Sequence, residues 1–234
     1  MREGIGVRGC GRKEPVVTID GPAGAGKSRA ARELARRLGF RLLDTGAMYR
    51  GLAWAVQRAG LAAEDGPALR ELLARTTVEL VEDKVFVNGR DVATEIRTPA
   101  IGELTSALTA LPPVRDKLTP LQRTLAAPGG VVLEGRDTGS VVCPDAEVKF
   151  YLDADLETRA RRRQEELADR GVTVDVAAVR EEVLRRDRQD MGRALAPLVK
   201  PSGAVVVDSS GLEPEAVVRR LLEEVERVRC CTRS

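Results

Sequence analysis

A glycine-rich stretch near the start of the chain has the residue types and spacing of a loop that binds nucleoside triphosphates. The stretch GPAGAGKS fits the pattern G-x-x-x-x-G-K-[ST], in which glycines let backbone N–H groups turn towards phosphate oxygens. Its members are Gly21, Pro22, Ala23, Gly24, Ala25, Gly26, Lys27 and Ser28. We expect Lys27 to reach the β- and γ-phosphates of ATP, and the Ser28 hydroxyl to ligate Mg²⁺.

The residues on either side favour this interpretation over a glycine-rich turn that only joins a strand to a helix. A β-branched run precedes the loop and predicts a buried strand, Val16–Asp20. An amphipathic helical pattern follows the loop, with Ala31, Leu34 and Leu38 on one face. Because strand, loop and helix occur in the required order, the positive N-terminus of the helix would also face the anion.

The stretch LLDTGAMYRG suggests a second anion site. Thr45 begins a predicted helix there, and Arg50 follows just under two turns later. Capping of the helix by Thr45 together with a surface arginine explains the same pattern. For this stretch alone, that simpler interpretation is favoured.

The stretch EGRDTG places charged residues directly after another predicted buried strand. Glu134, Arg136 and Asp137 are therefore expected at the carboxyl edge of a sheet, where open α/β folds bind their ligands. Glu134 is a candidate to hold a water molecule bound to Mg²⁺, a task that an acidic residue performs in many kinases with this kind of loop.

Two arginine-rich helical stretches follow in the second half of the chain. In RRDRQDMGRALAPL, the residues Arg186, Asp190 and Arg193 recur at i, i+4 and i+7 and share one helical face. An earlier helix carries Arg159, Arg162 and Arg163. Both patterns fit a solvated, charged surface, but they also fit a mobile lid whose arginines surround a migrating phosphoryl group and exclude water.

The elements that must position these residues alternate between strands and helices. Five short apolar runs predict a parallel sheet covered on both faces: Val16–Asp20, Arg41–Asp44, Val131–Glu134, Val148–Leu152 and Ala204–Asp208. A different pattern at residues 77–96 predicts a small antiparallel insertion. It combines short alternating strands with Glu82-Asp83-Lys84 and the turn signal Asn88-Gly89. Residues 1–14 are polar and glycine-rich, and we expect them to be disordered.

Composition excludes several other functions. The 38 basic and 36 acidic residues leave a net charge of +2, and aromatic residues make up only 3%, so neither a nucleic acid nor a membrane surface is an expected partner. The absence of histidine removes imidazole bases and histidine metal ligands.

The cysteines, at 10, 143, 230 and 231, form no C-x-x-C pair, and no long apolar run occurs in the sequence. We therefore expect free thiols and a cytoplasmic protein.

The motifs, taken together, resemble those of bacterial cytidylate kinases. IDGPAGAGKS, LLDTGAMYR, NGRDV, EGRDTGSVVCPDA and RRDRQDMGRALAPL fall in that family's order and spacing, from about Val16 to Glu226. The resemblance implies a P-loop NTP hydrolase-type three-layer α/β fold and a monomer. It also implies a core domain at 15–45 and 128–234, a lid within about 156–196, and a monophosphate-binding domain at 46–127. The inferred insertion resembles the extra small sheet of the bacterial enzymes.

The resemblance also implies an activity and a set of site residues. The activity is transfer of the γ-phosphoryl group of Mg²⁺·ATP to CMP or dCMP. Thr45, Arg50, Arg136 and Arg193 match the residues around the acceptor's 5′-phosphate. Ser106, Arg115 and Asp137 match the set that reads cytosine, Arg186 and Asp190 match the pentose contacts, and Arg159 and Arg162 match lid residues that withdraw electron density from the transferred group.

Four positions differ from the family's usual residues. Arg29 replaces a small or polar residue, Glu134 stands where Asp is frequent, Thr138 replaces a larger apolar residue, and Met191 replaces a polar one. None of these changes removes a charged group from the expected site.

Other functions predict different behaviour. A switch GTPase needs the motif N-K-x-D, whereas the only asparagine here is Asn88 in the hairpin turn. A kinase of another small acceptor, such as UMP, a nucleoside or shikimate, would use CMP poorly. A nucleotide-dependent switch or an RNA-associated ATPase would bind ATP without releasing ADP in response to an acceptor.

Overall fold

The structure, a computed structural model, describes residues 12–81, 84–169 and 171–232. Its strands are β1 (Val16–Asp20), β2 (Arg41–Asp44), β3 (Val78–Val81), β4 (Lys84–Val87), β5 (Arg90–Asp91), β6 (Val131–Glu134), β7 (Val148–Asp153) and β8 (Val205–Asp208). Its α-helices are α1 (Lys27–Leu38), α2 (Thr45–Arg58), α3 (Pro67–Arg75), α4 (Pro99–Leu108), α5 (Pro112–Ala126), α6 (Leu156–Ala168), α7 (Val176–Met191) and α8 (Pro214–Thr232). Short 3₁₀ and π turns occupy Glu95–Arg97 and Thr138–Val142.

Five strands form the predicted parallel sheet, in the order β2-β6-β1-β7-β8. Ile19 lies in one apolar cluster with Leu221 of α8, whereas Leu133 lies in a second cluster with Leu52 of α2. Helices therefore cover both faces of the sheet, which explains why its central strands are apolar throughout. The predicted three-layer α/β fold is confirmed, with β7 one residue longer than expected and β8 one residue shorter.

A separate antiparallel sheet, β3-β4-β5, forms the predicted insertion. Asn88 and Gly89 both have positive φ, at 49° and 76°, which is the geometry of a tight hairpin turn. The predicted turn residues 82 and 83 lie outside the described residues. The sheet packs closely on α2, because a Cβ added at Gly51 would lie 2.8 Å from Val85 Cγ1.

The segment expected to be disordered falls mostly outside the described residues, which begin at residue 12. Arg12 forms ion pairs with Asp145 at 2.7 Å and with Glu147 at 3.1 Å. Glu14 accepts from Arg229 of α8 at 2.8 Å. Arg12 and Glu14 of that segment are therefore attached to the rest of the fold.

No helix within the described ranges is both long enough and apolar enough to cross a membrane.

Candidate active site

A cavity of about 240 Å³ lies at the carboxyl edge of the parallel sheet. Strands β2 and β6 are in register there, with Asp44 opposite Glu134, so the segments that follow them emerge side by side. The predicted site residues that line the cavity are Ala23, Gly24, Gly26, Lys27, Ser28, Thr45, Arg50, Ser106, Arg115, Glu134, Arg136, Asp137, Arg186, Asp190 and Arg193. The fold thus brings together most of the residues singled out from five separate stretches of sequence.

The glycine-rich loop connects β1 to α1 as predicted. Gly21, Gly24 and Gly26 have φ values of 150°, 77° and 86°, which other residues rarely adopt. The chain is also crowded at Gly21, where an added Cβ would lie 2.0 Å from the Leu152 carbonyl oxygen. These glycines therefore meet both the conformational and the steric demands of the loop.

Lys27 is the buried cation of this loop. Its Nζ donates to the Pro22 carbonyl oxygen at 2.6 Å. Burial, assisted by the positive charge of Arg136, lowers the pKa of Lys27 to about 7, against the opposing effect of Glu134. A bound phosphate would supply the negative charge that this amine otherwise lacks.

Ser28 and Glu134 offer oxygen ligands next to Lys27. The Ser28 hydroxyl donates to Glu134 Oε1 at 2.8 Å, and burial, followed by the nearby Asp44, raises the pKa of Glu134 to about 7. Hydroxyl and carboxylate oxygens suit Mg²⁺. No group of three His, Cys, Asp or Glu side chains that could hold a metal occurs in the described part of the chain. The two oxygens therefore fit a magnesium ion that takes its other ligands from phosphate and water.

Asp190 joins two arginines that also line the cavity. Its Oδ2 accepts from Arg136 Nε at 2.8 Å, and its Oδ1 accepts from Arg193. Burial raises the pKa of Asp190, but the two guanidinium groups outweigh it and hold this pKa below its usual range. Arg186 also faces the cavity, and no ion pair with it is found among the described residues. The net positive charge of this cluster suits an anionic phosphate.

A buried ion pair between Arg115 and Asp137 forms another wall of the cavity. Arg115 also donates to the Thr109 carbonyl oxygen at 3.3 Å and lies over the ring of Tyr49, 5.8 Å from its centroid. Ser106 donates to Gln189 Oε1 of α7 at 3.2 Å. Hydrogen-bond donors (Ser106 and Arg115) and an acceptor (Asp137) therefore lie on one wall of the cavity, as recognition of a base requires.

Thr45 and Arg50 are held from the β2 side. The Thr45 hydroxyl donates to the Glu134 carbonyl oxygen at 2.7 Å, and Arg50 pairs with Asp44 at 3.2 Å. Asp44, which accepts from the Ala47 amide, is the N-cap of α2. The simpler interpretation of Thr45 as the helix cap is therefore wrong, and the Thr45 side chain instead faces the cavity.

Comparison with known proteins agrees with this geometry. The sequence profile described as Cytidylate kinase matches residues 17–227. The chain belongs to the cytidylate kinase family. It is 48% identical over 216 residues to the cytidylate kinase of Pelotomaculum thermopropionicum, and the aligned region covers 90% of this chain and 96% of that one. It is also 48% identical over 224 residues to that of Geobacter sulfurreducens, covering 94% and 96% respectively.

Among solved structures, an uncharacterised protein from Eubacterium ventriosum matches with a TM-score of 0.54 and 11% identity, covering 92% of this chain and 99% of that one. At that identity the likeness concerns the fold alone.

Arg159 and Arg162 lie against the glycine-rich loop, and their expected place around a transferred phosphoryl group stays a prediction. Arg159 is buried, donates to the Ala154 carbonyl oxygen at 2.9 Å and pairs with Asp187. Arg162 donates to the Ser209 hydroxyl at 2.9 Å. Neither is among the described residues that line the cavity, whereas the neighbouring Arg163 is. Arg163 lies one turn further along the same face of α6, where it pairs with Glu182 of α7 at 3.9 Å.

Sequence reasoning missed two buried carboxylates next to the loops of the site. Asp187 of α7 accepts from the Ala23 amide at 3.3 Å, and Asp20 of β1 accepts from the Thr138 and Gly139 amides. The signal for Asp20 was present, since a carboxylate at the end of an apolar strand must be hydrogen-bonded if it is buried. Asp187 had no such signal, because it lies within a strongly charged helix.

Proposed function

We propose that the protein phosphorylates CMP and dCMP, using ATP and Mg²⁺, to give CDP and dCDP. The observation that carries the proposal is the buried pair of Arg115 and Asp137 in the same cavity as the glycine-rich loop. Membership of the cytidylate kinase family supports it.

The Asp137 carboxylate accounts for the choice of base. It can accept from the exocyclic amino group of cytosine, while Arg115 and Ser106 can donate to the ring nitrogen N3 and the O2 carbonyl. Uracil carries a carbonyl oxygen where cytosine has the amino group, so it would meet Asp137 lone pair to lone pair. A buried polar group left unpaired in this way is costly, which disfavours UMP.

The remaining cavity residues hold the two phosphate chains. Lys27 and the amides of Gly24 and Gly26 would bind the donor phosphates. The acceptor's 5′-phosphate would lie among Thr45, Arg50, Arg136 and Arg193, with Arg186 and Asp190 at the pentose. Ser28 would ligate a magnesium ion and Glu134 would bind one of its waters; the ion, when bound, neutralises charge on the β- and γ-phosphate oxygens.

The chemistry needs positioning more than proton transfer. The acceptor phosphate is already an anion and attacks the γ-phosphorus in line, so neither a strong base nor a covalent intermediate is required. Helices α6 and α7, within the proposed lid at about 156–196, would cover the reacting groups and exclude water from them. The segment 46–127 would act as the monophosphate-binding domain.

The test is an ADP-release assay with ATP and Mg²⁺ across a panel of acceptors. CMP and dCMP are expected to be consumed much faster than UMP, AMP, GMP or shikimate. Faster turnover of UMP or shikimate would contradict the proposal. ATP hydrolysis that does not respond to any acceptor would instead favour a nucleotide-dependent switch.

A further inference from the structure

Three hydrogen bonds converge on a carboxylate that does not line the cavity. Asp20, the last residue of β1, is fully buried. Its Oδ1 accepts from the Thr138 amide and the Thr138 hydroxyl, both at 2.8 Å, and its Oδ2 accepts from the Gly139 amide at 2.7 Å. Asp20 therefore links the end of β1, which leads into the glycine-rich loop, to the segment that follows β6.

The bond to the Thr138 amide acts directly on Asp137. That N–H belongs to the peptide group joining Asp137 to Thr138, and the carbonyl oxygen of the same peptide accepts from Val141 N at 2.9 Å and Val142 N at 3.2 Å. Both polar ends of this peptide group are thus bonded. Its orientation fixes the direction in which the Asp137 side chain leaves the backbone towards Arg115.

The fit between this segment and β1 leaves no spare room. A Cβ added at Gly139 would lie 2.7 Å from Thr18 Oγ1 and 3.3 Å from Asp20 Oδ2. Thr138 is itself fully buried, and its methyl group lies near Gly135, where an added Cβ would approach Cγ2 to 2.6 Å. The segment can therefore reach Asp20 only with glycine at position 139, and it has little freedom to shift while those bonds persist.

We propose that Asp20 and the Thr138 hydroxyl are positioning residues for base selection, which hold the Asp137 carboxylate in line with the amino group of the acceptor base. The inference rests on the proposed function, since it assigns Asp137 the reading of cytosine. The Thr138 hydroxyl is a feature of this chain's own sequence, and it supplies one of the three bonds that Asp20 accepts.

The test compares Thr138→Val, which removes the hydroxyl at nearly constant volume, with Thr138→Ser, which keeps it. We expect Thr138→Val to raise KM for CMP about five- to tenfold and to lower the ratio of kcat/KM for CMP to that for UMP by a similar factor, because a misaimed Asp137 no longer favours the amino group. KM for ATP should change less than twofold. Thr138→Ser should restore most of the ratio.

Thr76→Val is the matched control. The Thr76 hydroxyl is also buried and donates to the Leu72 carbonyl oxygen at 2.7 Å, but Thr76, the C-cap of α3, is not among the described residues that line the cavity. This control should leave the CMP-to-UMP ratio unchanged. Asp20→Asn, which places an amide donor against N–H donors, should lower the ratio further than Thr138→Val does.

A double variant separates the inference from the function on which it rests. If Thr138 acts through Asp137, then Asp137→Asn combined with Thr138→Val should show the same CMP-to-UMP ratio as Asp137→Asn alone. Equal losses with CMP and UMP in Thr138→Val would overturn the positioning role while leaving the proposed function intact. A wild-type protein that does not prefer CMP would overturn both.

Discussion

Arg159 and Asp187 form a buried ion pair that joins α6 to α7, and both side chains are hydrogen-bonded to the glycine-rich loop. Arg159 Nη1 donates to the Ala23 carbonyl oxygen at 3.1 Å, and Asp187 Oδ1 accepts from the Ala23 amide at 3.3 Å. Both polar backbone groups of one loop residue are therefore bonded to a pair of helices outside the central sheet. Such an arrangement fixes the position of the loop before any nucleotide binds.

We expect Asp187→Asn to weaken both the fold and the binding of ATP. The change leaves Arg159 buried without its counter-ion, and the free energy of unfolding should fall by about 3–5 kcal/mol. KM for ATP should rise about tenfold because the loop loses its anchor, whereas KM for CMP should change little. Urea denaturation and steady-state kinetics measure the two effects.

An exposed pair at the same junction provides the control. Arg180 of α7 donates to Glu157 of α6 at 2.7 Å, and the two side chains are 41% and 64% exposed to solvent. Glu157→Gln should leave stability and both KM values at the wild-type level. If Asp187→Asn raised KM for CMP rather than for ATP, the Arg159–Asp187 pair would serve the acceptor and not the donor loop.

Lys27 should take up a proton when ATP binds. Its pKa in the free protein is about 7, because burial and Arg136 disfavour the charged form more than Glu134, Asp190 and Asp20 favour it. At pH 8 the amine is therefore mostly neutral, and bound phosphates would restore its charge. Calorimetric titrations in buffers of different ionisation enthalpy should detect uptake on the order of one proton.

Lys27→Met is the control for this proton uptake. The variant should bind ATP weakly, without uptake at pH 8, and should not catalyse transfer. It should remain folded, because replacing a desolvated amine with an apolar side chain of similar length relieves a burial cost. Uptake that persisted in this variant would assign the proton to another group.

The combined contribution of Lys27 and Glu134 to the free energy of unfolding of the free protein should be smallest near pH 7. The pKa of Glu134 is raised from 4.5 to about 7, so the folded state binds more protons between these values and stability falls as pH rises. The pKa of Lys27 is lowered from 10.5 to about 7, so the unfolded state binds more protons above pH 7 and stability rises again.

The measurement is urea denaturation at pH 5.5, 7 and 9. We expect the free energy of unfolding to be about 1–3 kcal/mol lower at pH 7 than at pH 5.5 or pH 9. The double variant Lys27→Met/Glu134→Gln carries neither titrating group and should lose this minimum. A minimum that remains in the double variant would have its origin elsewhere in the protein.

The parts of the molecule that depend on local sequence could be predicted closely. Each central strand is an apolar run, and the loop between β1 and α1 carries its glycines, lysine and serine within eight residues. The turn at Asn88-Gly89 likewise follows from residues that tolerate positive φ. In each case, the residues that determine the conformation are neighbours in the chain.

The environments of charged side chains could not be predicted in this way. The sequence did not indicate the partner of Arg159, because Asp187 lies 28 residues away on another helix. Arg159 and Arg163 share one face of α6, so only the packing of that face against neighbouring elements determines that Arg159 is buried and that Arg163 lines the cavity. A pattern of arginines on one helix does not contain that information, because it depends on the phase of a second helix.

Asp137→Ala should reduce the discrimination between cytosine and uracil more than it reduces binding of the donor. The variant removes the proposed acceptor for the amino group of CMP and leaves Arg115 buried without its ion-pair partner. We expect kcat/KM for CMP to fall by about 10²- to 10⁴-fold and that for UMP by much less, so that the ratio between them narrows. KM for ATP should remain close to the wild-type value, since Asp137 does not contact the glycine-rich loop in the described hydrogen-bond network.

Arg115→Met in the same background distinguishes lost recognition from the penalty of an unpaired charge. An unpaired guanidinium in Asp137→Ala should lower the stability of the fold. The double variant Asp137→Ala/Arg115→Met should recover that stability but should not recover the preference for CMP over UMP. Thermal unfolding and kinetics with both acceptors give the two readouts. Discrimination that survived intact in Asp137→Ala would show that the protein reads cytosine with other residues, because the carboxylate is the group in this wall of the cavity that distinguishes an amino group from a carbonyl.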